Sequence, residues 1–178
     1  TLKVGGTITD SGATVLTWGT GTVEYNGGGA QTVGAYSYYN LTINKSAGTA
    51  TTGANITIGN NLTLTTGTFN IAANSINGSA VGAVTLGSGS LLRIAAANFP
   101  SNYASVSIAS SSTVEYNPSF NMTVPDPGGG QSYGNLLLSN SGNRTFNAAI
   151  TVAGSLTTTG TVAAVMNAGI TVNGNVDL

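Results

Sequence analysis

Two glutamates, Glu24 and Glu115, occupy the same place in two copies of the pentapeptide Thr-Val-Glu-Tyr-Asn, at 22–26 and 113–117. Two carboxylates at roughly 5 to 10 Å are the pair that glycoside hydrolysis requires. If the chain winds in stacked strands about 4.8 Å apart, four turns between the copies separate the two carboxylates by about 19 Å. We therefore expect these glutamates to be surface residues of a strand ladder and not a catalytic pair.

The chain also lacks the residues that other kinds of catalysis require. The chain has no Cys and no His, which excludes thiolate or imidazole metal sites and nucleophilic relays through histidine. Proton abstraction by a polysaccharide lyase would need clustered Asp, Lys or Arg. The basic residues are instead scattered singly: Lys3, Lys45, Arg93 and Arg144. We predict no enzymatic activity, no catalytic or metal-binding residues and no cofactor.

Two glycine-rich stretches resemble ligand loops at first sight. Asp126 precedes Pro127 and the glycines 128–130, but one carboxylate cannot supply the six to eight oxygens that calcium prefers. The glycines 27–29 have no helix after them whose N-terminus could bind phosphate. We predict that both stretches are turns, with the first bulging from the second half of the chain.

The remaining candidates for binding are aromatic and threonine residues. Aromatic rings concentrate in one part of the chain, at Trp18, Tyr36, Tyr38 and Tyr39. Exposed rings could stack on sugars and form a ligand or assembly surface, whereas buried rings would fill a wide corner of the fold. The Thr-x-Thr pairs Thr7/Thr9 and Thr63/Thr65 could belong to a flat array that matches ice.

Composition narrows the class of protein. The chain has 178 residues, a mass of 17.6 kDa, 5% charged residues and a net charge of −1. This charge provides no electrostatic attraction for nucleic acid or an anionic membrane. No window of 18 apolar residues occurs, so we predict no membrane span. Thr, Ser, Asn and 26 Gly supply the polarity, and these residues favour strands and turns over helix interiors.

The chain repeats itself on two scales. Residues 54–69 align with 148–162, and similar matches divide a single domain, 1–178, into two internal repeats of about 1–91 and 92–178. Within each repeat, pairs of alternating apolar residues recur every six to eight positions, separated by Gly or Asn. Alternation predicts a strand with one buried face, and Gly and Asn allow sharp corners.

Short strands with regular corners are compatible with two all-β folds. A β-solenoid, or parallel β-helix, with about three short strands and 20 to 23 residues per coil is favoured by the spacing. A β-sandwich of hairpins is the alternative. Like residues stack in a solenoid, where like charges would repel and Thr or Asn would hydrogen-bond, which suits the low charge. On this interpretation the pentapeptide recurs because the same place on the coil returns four coils later.

The sequence resembles the repeat modules of large secreted bacterial surface proteins. The similar segments are TVEYNGGGAQTV (22–33), YYNLTIN (38–44), NITIGNNLTL (55–64) and TTGTFNI (65–71). This resemblance implies a β-solenoid module in an extracellular adhesin, stalk or fibre at the cell surface. It implies no catalytic residues.

The two ends of the chain lack the amphipathic helix or charged cap that covers the exposed edge of a solenoid. We therefore predict a structural module whose partner is either a neighbouring repeat of a longer chain or another copy, stacked head to tail into a filament. The alternative function is a binding module that recognises glycans or ice.

Overall fold

A computed structural model describes residues 1–8 and 19–178, and in this part of the chain every element is a β-strand. All strand pairs are parallel. A sandwich built from hairpins would pair its strands antiparallel. The predicted β-solenoid is therefore confirmed, with about eight coils. The described residues contain no helix long and apolar enough to cross a bilayer.

Twenty strands form the coils. In chain order they are β1 (Leu2–Val4), β2 (Thr22–Tyr25), β3 (Gln31–Val33), β4 (Ser37–Tyr38), β5 (Asn40–Thr52), β6 (Ile56–Ile58), β7 (Leu62–Asn70), β8 (Ile76–Asn77), β9 (Ala83–Leu86), β10 (Leu91–Ile94), β11 (Ser105–Ile108), β12 (Thr113–Tyr116), β13 (Met122–Thr123), β14 (Asn135–Leu138), β15 (Ser141–Phe146), β16 (Ile150–Val152), β17 (Leu156–Thr158), β18 (Thr161–Met166), β19 (Ile170–Val172) and β20 (Val176–Asp177).

Each coil passes through three faces in the same order. The first face stacks β1, β2, the start of β5, the start of β7, β9 and β11. The second stacks β3, the end of β5, the end of β7, β10, β12, β14, β17 and β20. The third stacks β4, β6 and β8. By chain order, β13, β15 and β18 continue the third face, and β16 and β19 continue the first.

The core is a continuous column of inward side chains. On the first face Leu41 pairs with Leu62, and Leu62 pairs with Val84, and all three are fully buried. Residues between them along each strand point outward and are mostly Thr, Asn or Ser. Paired residues in successive coils lie 18 to 23 positions apart, which agrees with the predicted coil length. The period-2 pattern thus places every second residue in the interior.

Asparagines at the corners connect each coil to the next. Asn40 Oδ1 accepts a hydrogen bond from the backbone amide of Asn61 (3.2 Å), and Asn61 Oδ1 accepts one from the amide of Ala83 (3.0 Å). On the second face, Asn135 Oδ1 accepts from the amide of Ser155 (3.0 Å). Asn40 and Asn135 are the first residues of β5 and β14, and Asn61 immediately precedes β7, so each side-chain amide extends the main-chain ladder by one bond into the corner.

A glycine is required where one corner approaches the coil beneath it. Gly67 has φ +79°, a left-handed conformation that favours glycine. A Cβ at this position would lie 2.5 Å from the carbonyl oxygen of Lys45. The corner between the two halves of β7 therefore depends on the absence of a side chain.

The two copies of the repeated pentapeptide lie on different faces. Tyr25 pairs with Ile43 on the first face, whereas Tyr116 pairs with Leu138 on the second. Between the copies the chain completes four coils and then one further face, so 91 residues are not a whole number of coils. The prediction that the same place on the coil returns was therefore wrong, although the division into two sequence repeats stays a prediction.

Candidate functional site

Glu24 is held between the coils before and after it. Lys3 Nζ, from the preceding coil, lies 3.9 Å from Glu24 Oε2. From the following coil, Asn44 Nδ2 donates to Glu24 Oε1 (3.0 Å). Glu24 is only 8% exposed, so the prediction of a surface residue was wrong. Its carboxylate is occupied by cross-coil contacts.

Glu115 has the same arrangement on the second face. Arg93 Nε, one coil earlier, donates to Glu115 Oε2 (2.6 Å), and Ser139 Oγ, one coil later, donates to Oε1 (2.7 Å). Glu115 is 6% exposed and so is also buried rather than on the surface. Each copy of the pentapeptide thus places a glutamate in contact with the coils before and after it. The two glutamates have separate partners and do not form a pair.

Lys45 is a buried cation whose acceptors are mostly main-chain carbonyls. Its ammonium donates to the carbonyl oxygens of Gly27 and Gly29 (the latter at 2.7 Å) and to Gln31 Oε1 (2.7 Å). These three acceptors match the three protons of the ammonium group. The lysine therefore holds the glycine turn that follows the first pentapeptide.

Arg144 does the same for the second copy. Its guanidinium donates to the carbonyl oxygens of Pro118 (2.7 Å), Phe120 (2.9 Å) and Ser139 (2.9 Å). Pro118 and Phe120 stand in the second repeat where Gly27 and Gly29 stand in the first. Sequence reasoning missed this equivalence because the cation itself lies at different distances from the two turns.

Both buried cations lack a carboxylate among their hydrogen-bond partners. Burial lowers the pKa of Lys45 below its ordinary value of 10.5, and burial also lowers the pKa of Arg144 below its ordinary value. Carbonyl dipoles offset the lost hydration of each charge. With Lys3 and Arg93 in ion pairs, every basic side chain of the sequence contacts another part of the chain.

Paired tyrosines fill the corners beside the two turns. Tyr25 and Tyr38 join their hydroxyl groups at 3.1 Å, and the Tyr38 hydroxyl donates to the carbonyl oxygen of Gly34 (3.0 Å). Tyr116 and Tyr133 repeat this contact at 2.9 Å. Their rings also meet edge to face, with centroids 6.3 Å apart. These pairs lock two faces of a coil together.

The residues of the predicted aromatic surface differ in burial and do not form one exposed surface. Tyr38 is only 2% exposed, so it fills a corner of the solenoid and is not on a surface. Tyr36 is half-buried and packs edge to face against Tyr38, with centroids 6.2 Å apart. Tyr39 is half-buried beside the next strand. Trp18 lies outside the described residues.

A threonine ladder does form, but it runs across coils and not along a strand. Thr42, Thr63 and Thr85 stack directly on one another on the first face, and Ser107 continues the column. Thr65 is exposed on the same side as Thr63. In the other predicted pair, Thr7/Thr9, Thr9 lies outside the described residues.

An open cleft of about 360 Å³ interrupts the first face beside β11. One wall is the segment 97–106, which includes the start of β11, and the other is the proline- and glycine-rich loop 125–129. Asp126 is the charged residue of this lining, and its Oδ1 accepts a hydrogen bond from the amide of Gly128 (2.9 Å). The loop was predicted as a bulge, and the sequence carried no signal that a cleft lies beneath it.

No group of three or more acidic residues that could hold a metal ion occurs in residues 1–8 and 19–178. Comparison with protein-family models, curated proteins and solved structures finds no match to this chain. The coil contacts, the threonine ladder and the cleft are therefore the features from which a function can be inferred.

We predict that Lys45→Met lowers the free energy of unfolding by about 1–3 kcal/mol, because it leaves buried acceptors without a donor. Lys3→Met is the matched control. The Lys3 side chain is 67% exposed, and an exposed ion pair contributes about 0–1 kcal/mol. Urea unfolding measures both variants. Equal stability of the two would show that the ammonium does not hold the turn.

We also predict that the protein loses stability as the pH rises above 10. Burial raises the pKa of four tyrosines above the ordinary value of 10.0: Tyr38, Tyr103, Tyr116 and Tyr133. The folded state therefore keeps protons that the unfolded state releases, so alkali favours unfolding. Tyrosinate absorbance should rise in two stages, the second coinciding with loss of the β-sheet circular dichroism signal. The chain in urea, as control, should titrate in one stage.

Proposed function

We propose that this chain is a structural, non-catalytic module of an extracellular fibre or stalk, built to be continued by further coils. The use of its ionisable side chains supports this role. Lys45 and Arg144 bind turns, and Glu24 and Glu115 bind the coils on either side. These groups serve cohesion between coils, which is what a load-bearing rod requires.

The continuity of the inward ladders into the last described coil is the observation that carries the proposal. Phe146 is fully buried, but Met166, which pairs with it one coil later, is 45% exposed. Leu156 is 1% exposed, and its partner Val176 is 55% exposed. Each ladder therefore keeps its apolar chemistry from one coil to the next. A further coil would bury these side chains and pair the open edges of β18, β19 and β20.

At the other end of the described chain, Leu2 pairs with the inward residue Val23 on the first face and is 47% exposed. The last described coil would receive either the next repeat of a longer chain or another copy of this chain.

A cell-surface location is part of the same proposal. It is supported by the resemblance of the segments 22–33, 38–44 and 55–71 to modules of secreted bacterial surface proteins. A ladder of uncharged Thr and Asn also tolerates indefinite stacking, because like residues meet at each step without repulsion. Such a rod can lengthen by adding coils without any new chemistry.

Association through the last coil can be tested with the chain of 178 residues. We expect it to associate in a concentration-dependent way in sedimentation velocity. Replacing both Met166 and Val176 with Asp should weaken association at least about tenfold, because stacking would bury unpaired carboxylates. Val81→Asp is the control, since Val81 is 77% exposed on a turn at the side of the coil.

Two results would contradict this proposal. One is association that the double variant leaves intact while Val81→Asp abolishes it. The other concerns a fusion in which one copy directly follows another. If the fusion unfolds at the same urea midpoint and with the same m-value as the single chain, the coils do not continue across the junction.

A second candidate function is binding to a flat, regular surface such as ice through the column of Thr42, Thr63, Thr85 and Ser107. The direct pairing of these residues in successive coils favours it. Thr63→Tyr should then abolish inhibition of ice recrystallisation without changing the thermal midpoint by more than a few degrees. Thr157→Tyr, on the second face, is the control and should keep full activity. Absence of inhibition by the unaltered protein would exclude this function.

A further inference from the structure

The layer of the first face above β11 is incomplete. β11 pairs with β9 beneath it and with no other strand of the described chain. The following coil returns to this face only at Tyr133, which bridges to Val152 in the coil after it. Gly134 lies against the carbonyl oxygen of Ala109, so the returning chain covers only the far end of β11. Its beginning stays open.

The open stretch presents an unused main-chain donor. In complete layers the amide of an inward residue donates to the coil above, as Leu41 does to Asn61 (2.9 Å) and Leu136 does to Ser155 (2.9 Å). Val106 is the equivalent inward residue of β11, since it pairs with Val84. Within residues 1–8 and 19–178, the coil above offers its amide no acceptor.

The side chains beneath the gap confirm that a layer is lacking. Val84 and Leu86 are 0% and 1% exposed. Val106 and Ile108, which stack directly on them, are only half-buried. The apolar interior of the solenoid is therefore open to the cleft at Val106, one of the residues that line it.

The loop 125–129, which forms the other wall of the cleft, indicates which chemical groups a partner needs. Pro125 and Pro127 have no amide proton, so at these positions the wall cannot donate a hydrogen bond. Asp126 is exposed and supplies the only charge among the lining residues. The cleft therefore suits a chain with its own carbonyls and amides, an apolar side chain directed inward and a basic residue near Asp126.

We propose that this cleft binds an extended peptide of a partner protein, which adds a short parallel strand to β11. Strand addition uses main-chain hydrogen bonds for affinity and alternate side chains for specificity. The ring of Phe99 is 5% exposed and packs against Tyr133, with centroids 6.4 Å apart. No open aromatic face remains at Phe99 for stacking.

The probe is a fluorescein-labelled peptide, Lys-Ile-Thr-Val-Thr-Ile, which carries the Ile-Thr-Val sequence of β16 and β19 behind a lysine. Val106→Pro removes the amide donor, while Val106→Ala keeps it. Proline is tolerated at an edge strand where its nitrogen faces away from the sheet, so the β11–β9 pairing should survive. Fluorescence anisotropy should show saturable binding to the unaltered protein and to Val106→Ala. Val106→Pro should bind at least about tenfold more weakly.

Two further measurements keep the proposal testable if Val106→Pro fails to fold. The same peptide with alternate amides N-methylated cannot complete a parallel ladder and should not bind the unaltered protein. Asp126→Asn should weaken binding of the lysine peptide a few-fold, whereas Asp177→Asn, at the exposed last strand, should leave it unchanged.

The proposal is overturned if the unaltered protein shows no saturable binding, or if the N-methylated peptide binds as tightly as its parent. It is also overturned if the peptide fails to bind but Val106→Pro converts a dimer to a monomer in sedimentation. In that case the occupant of the cleft is a second copy of this chain. Equal binding by Val106→Pro and Val106→Ala would equally exclude strand addition.

Discussion

The main-chain hydrogen bonds between successive coils are the constraint on which this structure depends. A parallel strand satisfies its amides and carbonyls only with a neighbour on each side, so each coil requires the next one. The side chains follow from this requirement. Outward positions must stack on their own kind every 18 to 23 residues, which favours Thr, Asn and Ser over charges. Inward positions form one apolar column, because equivalent positions of successive coils lie directly above one another.

The few charges are placed where the ladder alone is insufficient. After each copy of the pentapeptide the chain leaves the strand and turns, and the carbonyls of that turn have no strand to pair with. Lys45 and Arg144 supply the missing donors from the next pass of the chain. An unpaired buried cation is costly, but so are several buried carbonyls, and each group offsets the cost of the other. The repeated pentapeptide thus comes before a turn that a buried cation stabilises, and this contact forms on either face.

Much of the fold could be predicted because it is local. Alternation in segments such as Leu62–Leu64 shows which side is buried, and Gly or Asn shows where the chain turns. The face on which a strand lies depends on how many corners precede it, and an error at one corner shifts every later strand to another face. The different faces of Tyr25 and Tyr116 were therefore not predicted. The asparagines at the start of strands, as at Asn40 and Asn135, mark the start of a layer and would have improved that count. The cleft was not predictable, because it arises from the path of 125–130 relative to a strand twenty residues earlier.

The cleft and the last coil are two instances of one physical condition, a ladder without its next layer. Under the proposed function, the last described coil would be continued on all three faces, so its complement would be a whole coil of three strands. At β11 only part of one edge is open, and the coils on either side continue along the second face through β12 and β14. A whole coil cannot enter there, but a segment of a few residues can. On the two proposals, the same hydrogen-bonding rule would give the two openings different partners: a further coil at the last described coil, and a short extended chain at the cleft.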